Sequence, residues 1–106
     1  MEDNQFQQIA RTVADPSRLS ALQMIARQGE VSCSDIREHL GLTAATISHH
    51  VKELEATGLV HLRKEAKFVY LQLDRAVWKA YLRELQRRVP QLKKKTCDPI
   101  PGSHIS

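Results

Sequence analysis

One short stretch of the sequence places hydroxyl, imidazole and ammonium side chains on a common helical face. With Ile47, Val51 and Leu54 taken as the buried side, steps of about 100° per residue turn a second set of residues outward. That set is Ala45, Ser48, His49, Lys52 and Ala56. Hydroxyl and imidazole groups can donate to or accept from base edges, and a methyl group can meet a thymine methyl. The pattern therefore predicts a helix that reads DNA bases in a major groove.

Further polar and basic side chains flank this helix at positions that suit the DNA backbone. Thr43 lies at the helix start, where a hydroxyl and the first free amides can bind a phosphate. Arg63, Lys64 and Lys67 fall in a later hairpin pattern that can reach phosphates or a minor groove. The complete set of predicted DNA contacts is Thr43, Ala45, Thr46, Ser48, His49, Lys52, Arg63, Lys64 and Lys67.

Each of these positions also has a purely structural interpretation. Ala45 can serve only as a helix former, and Ser48 and His49 can be solvated surface side chains. The basic residues of the hairpin can be solvated as well, and Glu65 dilutes their charge. We expect His50, at the edge of the buried face, to pack rather than read bases. Because the helix carries no Arg, Asn or Gln for bidentate base contacts, we expect modest specificity with a contribution from DNA shape.

The elements that must position these side chains include two helical patterns that meet at Leu40-Gly41-Leu42. A turn this short makes a helix-turn-helix, which holds its second helix out from the body. Asp15-Pro16 opens an earlier helix, and Ser32 with Asp35 matches a capping box in spacing. The predicted helices run from about Glu2 to Ala14, Pro16 to Gln28, Ser32 to Leu40 and Thr43 to Thr57.

After Gly58 the apolar spacing changes from the helical period to alternation. Leu59 to Arg63 and Phe68 to Leu73 therefore predict two strands. The segment from Lys64 to Lys67 would form the charged tip between them. Together the patterns predict a mainly α-helical fold with a small β-hairpin, in the order α-α-α-α-β-β-α.

The last predicted helix is capped by Asp74 and ended by Pro90. The residues beyond it carry too little apolar surface to fold alone, although Lys93 to Lys95 could follow a DNA backbone. We therefore expect a folded domain over residues 1–89 and a basic, flexible tail over residues 90–106.

Size and composition indicate one globular domain, since 42% of the 106 residues are hydrophobic and 26% are charged. The formal net charge of +4 is concentrated between Arg83 and Lys95, where six basic residues face Glu84 alone. No apolar run approaches a membrane span, and the first four residues are acidic where a secretory signal would be basic. We expect a cytoplasmic protein.

Four segments of the chain resemble the ArsR/SmtB family of bacterial transcriptional repressors. They are Ala14 to Leu19, Leu42 to Val51, Leu54 to Val60 and Arg63 to Leu73. The resemblance covers roughly residues 5–89 and implies a dimeric winged helix-turn-helix. It also implies that Thr43, Ala45, Ser48 and His49 match positions where related repressors touch DNA.

The first and last predicted helices each carry a stripe of apolar residues. These two stripes predict that the chain pairs with a second copy, because a monomer this small gains little by exposing them to solvent. Pairing across a two-fold axis would bury both and set two recognition helices about one DNA turn apart. The resemblance implies the same first and last helices as the interface. The predicted interface residues are Phe6, Ile9, Val13, Trp78, Tyr81, Leu82 and Leu85. The alternative is that both stripes pack within the monomer.

Neither metal site known in this family is intact in the sequence. Where the arsenic-sensing type places two thiols, this chain has Ser32 and Ser34, with Cys33 turned about 100° between them. Where the zinc-sensing type places Asp, His and Glu pairs, the last helix has no histidine and only Glu84 beyond Asp74. We therefore predict no metal site and no cofactor.

Cys33 and Cys97 leave a redox role open. They could form a reversible disulfide, or Cys33 could be a small buried hydrophobe. Modification of Cys97 and binding of an organic ligand at the dimer seam are equally open, so the sequence names no inducer.

Together the patterns predict a sequence-specific regulator, a homodimeric repressor on an inverted-repeat operator. The alternative is a winged helix that contacts only other proteins, which the near-neutral charge outside the basic end keeps open. We do not expect an enzyme, because Ser48 and His49 are helix neighbours that cannot act as a nucleophile and base. No phosphate loop or paired-carboxylate motif is present either.

Overall fold

Side-chain caps start four of the five helices in the computed structural model, which describes residues 1–90. The carboxylates of Asp15 and Asp74 accept from backbone amides three residues ahead, and so do the hydroxyls of Ser32 and Thr43. A cap of this kind contributes about 0.5–2 kcal/mol. The sequence signals for these helix starts are therefore confirmed.

The helices and strands follow the predicted order, with one added strand. The helices are α1 (Asp3–Val13), α2 (Pro16–Gln28), α3 (Cys33–Leu40), α4 (Ala44–Ala56) and α5 (Arg75–Arg88). The strands are β1 (Glu30–Ser32), β2 (Val60–Glu65) and β3 (Phe68–Leu73). We call the β2–β3 hairpin the wing.

The sheet has three antiparallel strands in the order β1-β3-β2, whereas the sequence predicts only the hairpin. The missing strand β1 has three residues, too few to show an alternating period. In the wing, Glu65 pairs with Phe68, so the turn between them is two residues long. This corrects the predicted four-residue tip: Lys64 and Glu65 belong to β2, and Ala66 adopts a φ of 56° in the turn.

The core lies between the helices and the inner face of this sheet. Ile9, Ile25, Ile36 and Leu71 have no exposed surface, which joins α1, α2, α3 and β3 in one apolar cluster. The recognition helix α4 contributes the three residues predicted for its buried face, Ile47, Val51 and Leu54. Its position is therefore set by packing along one whole side.

Packing between α1 and α5 corrects part of the predicted dimer surface. The rings of Phe6 and Tyr81 lie 5.2 Å apart, and both side chains are buried within the monomer, as is Ile9. These three residues belong to the core and leave little side-chain surface for a second copy. Val13 and Trp78 are half-buried.

The remaining predicted interface residues on α5 face outward. Leu82 is 40% exposed and Leu85 is 38% exposed, and Val89, just beyond the helix, is 71% exposed. Their spacing of three and four residues places them on one side of the helix. The exposed apolar side chains of the predicted interface therefore lie towards the end of α5, and their contact with a second copy stays a prediction.

A buried carboxylate ties α5 to α1 at the edge of this surface. Glu84 is only 8% exposed and accepts hydrogen bonds from Arg87 and Arg88. These bonds lower the pKa of Glu84 to about 2. The Arg88 guanidinium also pairs with Asp3 and lies 4.0 Å from the centre of the Phe6 ring. The negative charge of Glu84 is thus neutralised by arginine side chains where α5 meets α1.

Candidate nucleic-acid interface

The start of α4 is built by a glycine turn and a threonine cap. Gly41 ends α3 in the left-handed conformation with a φ of 65°, which L residues rarely adopt. Thr43 then accepts from the Thr46 amide at 3.1 Å and donates to the Thr46 hydroxyl at 2.9 Å. The first amides of a helix lack intrahelical partners. This end of α4 therefore offers free amides and the Thr46 hydroxyl to an anion.

The outer face of α4 has the exposure that the helical period predicts. Every residue of the predicted outward set is exposed, namely Ala45, Ser48, His49, Lys52 and Ala56. Thr43 is exposed and Thr46 is half-buried beside it. A hydroxyl, an imidazole and an ammonium group thus project from the side of the helix opposite the core. Their contacts with DNA remain a prediction.

His50 lies on the inner side of the same helix and is 7% exposed, as its position in the period suggests. Its Nε2 lies 3.9 Å from a carboxylate oxygen of Asp15, which caps α2. Its Nδ1 is buried with no hydrogen-bond partner in the structure. Burial lowers the pKa of His50, although Asp15 opposes that shift. The imidazole therefore packs between α4 and the start of α2 and does not lie on the outward face of α4.

The wing divides its basic residues between its two faces, because successive strand residues point in opposite directions. Lys64 pairs in register with Val69 and lines a groove beside Ser48 and Lys52 of α4. Lys67 is exposed in the turn. These two lysines remain in the candidate interface.

Arg63 lies on the opposite, outer face of the sheet, away from the groove beside α4. Its guanidinium donates to both carboxylate oxygens of Glu30, at 2.7 and 3.0 Å, and to Glu65 at 2.7 Å. It also lies 4.7 Å from the centre of the Tyr70 ring. These carboxylates raise the pKa of Arg63, and Arg63 lowers that of Glu30. Its charge is therefore already balanced within the chain.

Of the two carboxylate partners of Arg63, sequence reasoning noted Glu65 and missed Glu30. Glu30 is 33 residues away from Arg63 and belongs to the unpredicted strand β1. An acidic residue next to a glycine turn is an ordinary surface feature, so no local signal marks it. The pairing register of β1 with β3 is what brings Glu30 to Arg63.

Cys33 begins α3 and is half-buried, and burial raises the pKa of its thiol. Cys97, the other predicted redox residue, lies outside the described residues, as do Lys93 to Lys95 and all but the first residue of the predicted tail. Within residues 1–90, no group of three or more His, Cys, Asp or Glu side chains could hold a metal ion. No helix in that part of the chain is long and apolar enough to cross a membrane.

Comparison with known proteins shows which family this chain belongs to. A helix-turn-helix domain family matches residues 13–63. The arsenical resistance operon repressor of Staphylococcus aureus is 32% identical over 77 residues, which cover 73% of each chain. This chain belongs to the ArsR/SmtB family. It is a DNA-binding transcriptional regulator.

Two solved structures resemble this ArsR-family regulator along most of its length. HlyU from Vibrio cholerae has a TM-score of 0.67 and 31% identity, and the match covers 86% of this chain and 100% of that one. The homodimeric winged helix-turn-helix domain Mb0332 from Mycobacterium bovis has a TM-score of 0.66 and 23% identity, covering 88% and 92%. The winged helix-turn-helix fold predicted from the sequence is thereby confirmed.

Proposed function

We propose that this regulator is a homodimeric repressor that occupies an inverted-repeat operator. In this proposal α4 enters the major groove, and Lys64 and Lys67 of the wing contact the backbone or the minor groove. The observation that carries it is the division of α4: one side is locked in the core, while the hydroxyl of Ser48 and the imidazole of His49 face outward. A rigidly held helix can present these groups to base edges in a fixed orientation.

Dimerisation is supported by the apolar surface at the end of α5. Leu82, Leu85 and Val89 are exposed together, and a second copy would cover them. The Mycobacterium bovis domain with the same fold is described as homodimeric. Because a two-fold dimer presents two recognition helices, its site would consist of two half-sites centred about 10 base pairs apart.

Repression and location follow from the same proposal. The Staphylococcus aureus relative is named an operon repressor. A dimer of this chain bound at a promoter would repress by excluding polymerase. A protein that works on operator DNA acts where that DNA is, so we propose a cytoplasmic location. We also propose that the chain has no enzymatic activity.

The direct test is selection of bound duplexes from a random-sequence DNA library, followed by affinity measurement on the selected site. We expect an inverted repeat. Ser48→Ala combined with His49→Ala should weaken binding at least about tenfold, since a good base contact contributes about 1–3 kcal/mol. His39→Ala, which removes an exposed histidine from α3, is the matched control and should bind like the wild type. A folded protein that binds no duplex even at low salt would instead indicate a winged helix that contacts other proteins.

A further inference from the structure

A groove of about 530 Å³ separates the recognition helix from the wing. We call it the helix–wing groove. Val51 of α4, Leu62 and Val69 of the wing, and Cys33 at the start of α3 form its apolar floor. Its volume lies within the range of about 300–1,000 Å³ that is typical of small-molecule sites.

The alternation of the wing strands explains why this floor is apolar. Leu62 pairs with Leu71, and Lys64 pairs with Val69, so all four side chains lie on the face of the sheet that turns towards the core. Leu71 is fully buried, whereas Leu62 and Val69 are only half-buried. The sheet thus extends beyond the core and leaves apolar surface uncovered beside α4. Since burial raises the pKa of Cys33, its thiol stays neutral and adds to that surface.

Two lysine ammonium groups border the floor. Lys52 and Lys64 both line the groove, and neither forms a salt bridge with any residue that the structure describes. One carboxylate, Glu55, shares the lining, so the groove carries a net charge of one positive unit. Arg63, which is neighbour to Lys64, is balanced by two carboxylates on the other face. An apolar floor with excess positive charge at its border matches a ligand with an apolar body and one anionic group.

We propose that the helix–wing groove binds a small amphipathic carboxylate, with its apolar chain on the floor and its anionic group at Lys52 and Lys64, and that this ligand releases DNA. The release step rests on the proposed function. Ser48 and Lys52 line the groove and also belong to the outward face of α4. A bound carboxylate would occupy the cations that contact DNA phosphates and would obstruct that face. Ligand and DNA would therefore compete.

The first test measures ligand binding in the absence of DNA, by calorimetric titration of the full chain with decanoate. We expect saturable binding with one site per chain. Lys64→Glu should weaken it at least about tenfold, because the substitution places a negative charge beside the carboxylate. Lys67→Glu makes the same charge change in the same hairpin, outside the groove, and should leave decanoate binding within about twofold of the wild type. Decyltrimethylammonium, with an equal chain and the opposite charge, should not bind.

The second test places the ligand by the reactivity of Cys33. Decanoate should slow alkylation of Cys33 by iodoacetamide, measured by mass spectrometry on the peptide that contains it, which separates it from Cys97. Equal binding by the two lysine variants, or an unchanged Cys33 rate at saturating decanoate, would overturn the proposed site.

The third measurement tests release separately from binding. Decanoate should displace the wild-type protein from its selected DNA, at concentrations that saturate the groove. If decanoate binds and protects Cys33 but leaves the DNA complex intact, the release mechanism is wrong while the binding site stands. If no DNA is bound at all, the proposed function fails and the ligand site is still judged by the first two tests.

Discussion

The outward face of α4 and the core are only one residue apart in the sequence, at His49 and His50. His49 and His50 are adjacent in sequence, but His49 is exposed and His50 is 7% exposed. The buried Nδ1 of His50 has no hydrogen-bond partner among residues 1–90, and its Nε2 lies 3.9 Å from Asp15. Burial therefore favours the neutral ring, since charging it would cost solvation that one carboxylate only partly replaces.

This environment predicts a loss of stability in mild acid. Because the pKa of His50 is lowered in the folded chain, the unfolded chain takes up the proton first as the pH falls. The contribution of the neutral ring is complete above about pH 6.5, the ordinary value for histidine, and declines as the pH falls below it. Carboxylates such as Glu84 lose their contribution only below about pH 4.5, so the two effects are separate.

The measurement is the free energy of urea unfolding between pH 7.5 and about pH 5. His50→Leu should flatten the decline seen in the wild type, since it removes the titrating group and the unpartnered nitrogen. His49→Leu removes an exposed imidazole from the next position and should retain the decline. An identical decline in all three proteins would show that His50 is not its source.

At the scale of elements, the wing separates residues that composition alone would group together. Arg63 and Lys64 are consecutive basic residues of β2, and strand geometry sends them to opposite faces. Arg63 is held by Glu30 and Glu65, whereas Lys64 faces the groove beside α4. We therefore expect Lys64 to contact phosphate and Arg63 to stabilise the sheet.

The salt dependence of DNA binding distinguishes these two roles. Each phosphate contact contributes about 0.9 to the slope of log affinity against log salt concentration. Because the proposed homodimer carries two copies of Lys64, Lys64→Ala should lower that slope by about twice this amount, about 1.8. Arg63→Ala should leave the slope unchanged and lower the melting temperature, because it breaks the link to β1. Fluorescence anisotropy with a labelled duplex at several salt concentrations measures the slope. A loss of slope in Arg63→Ala equal to that in Lys64→Ala would restore Arg63 to the interface.

At the scale of the whole molecule, α5 connects the fold of one chain to its pairing with another. Its inner side carries Tyr81, which packs on Phe6, and Glu84, which anchors Arg88. Its outer side carries the exposed Leu82. The same helix can thus complete the monomer core and still present apolar surface to a second copy.

Charge placed on that outer side should separate the two copies. We expect Leu82→Glu to shift the protein from dimer to monomer, because burying an unpaired carboxylate in an apolar interface is costly. DNA affinity should fall by about 100-fold or more, since one half-site loses the effective concentration that linkage provides. Ala76→Glu introduces the same group at an exposed position of α5 and should remain dimeric. Sedimentation equilibrium reports the mass, and a Leu82→Glu dimer would contradict the proposed interface.

The sequence was sufficient to predict the features that depend on a residue and its near neighbours in the chain. The caps at Asp15, Thr43 and Asp74, the buried side of α4 and the existence of the wing all depend on contacts within a few residues, or on a simple period. The resemblance to the ArsR/SmtB family rested on these same segments, and it too is confirmed. The amino-acid sequence by itself therefore determines these features.

The rest depends on which distant segments meet in the folded chain. Strand β1 is too short to show a period, and its register with β3 is what brings Glu30 to Arg63 and gives Arg63 an ion pair on the outer face of the sheet. Packing of α1 on α5 moves Phe6 from a predicted dimer surface into the core. The helix–wing groove arises because α4 and the wing, which are separate elements, leave a gap between them. Register and packing join residues far apart in the chain, and no local pattern encodes such pairings.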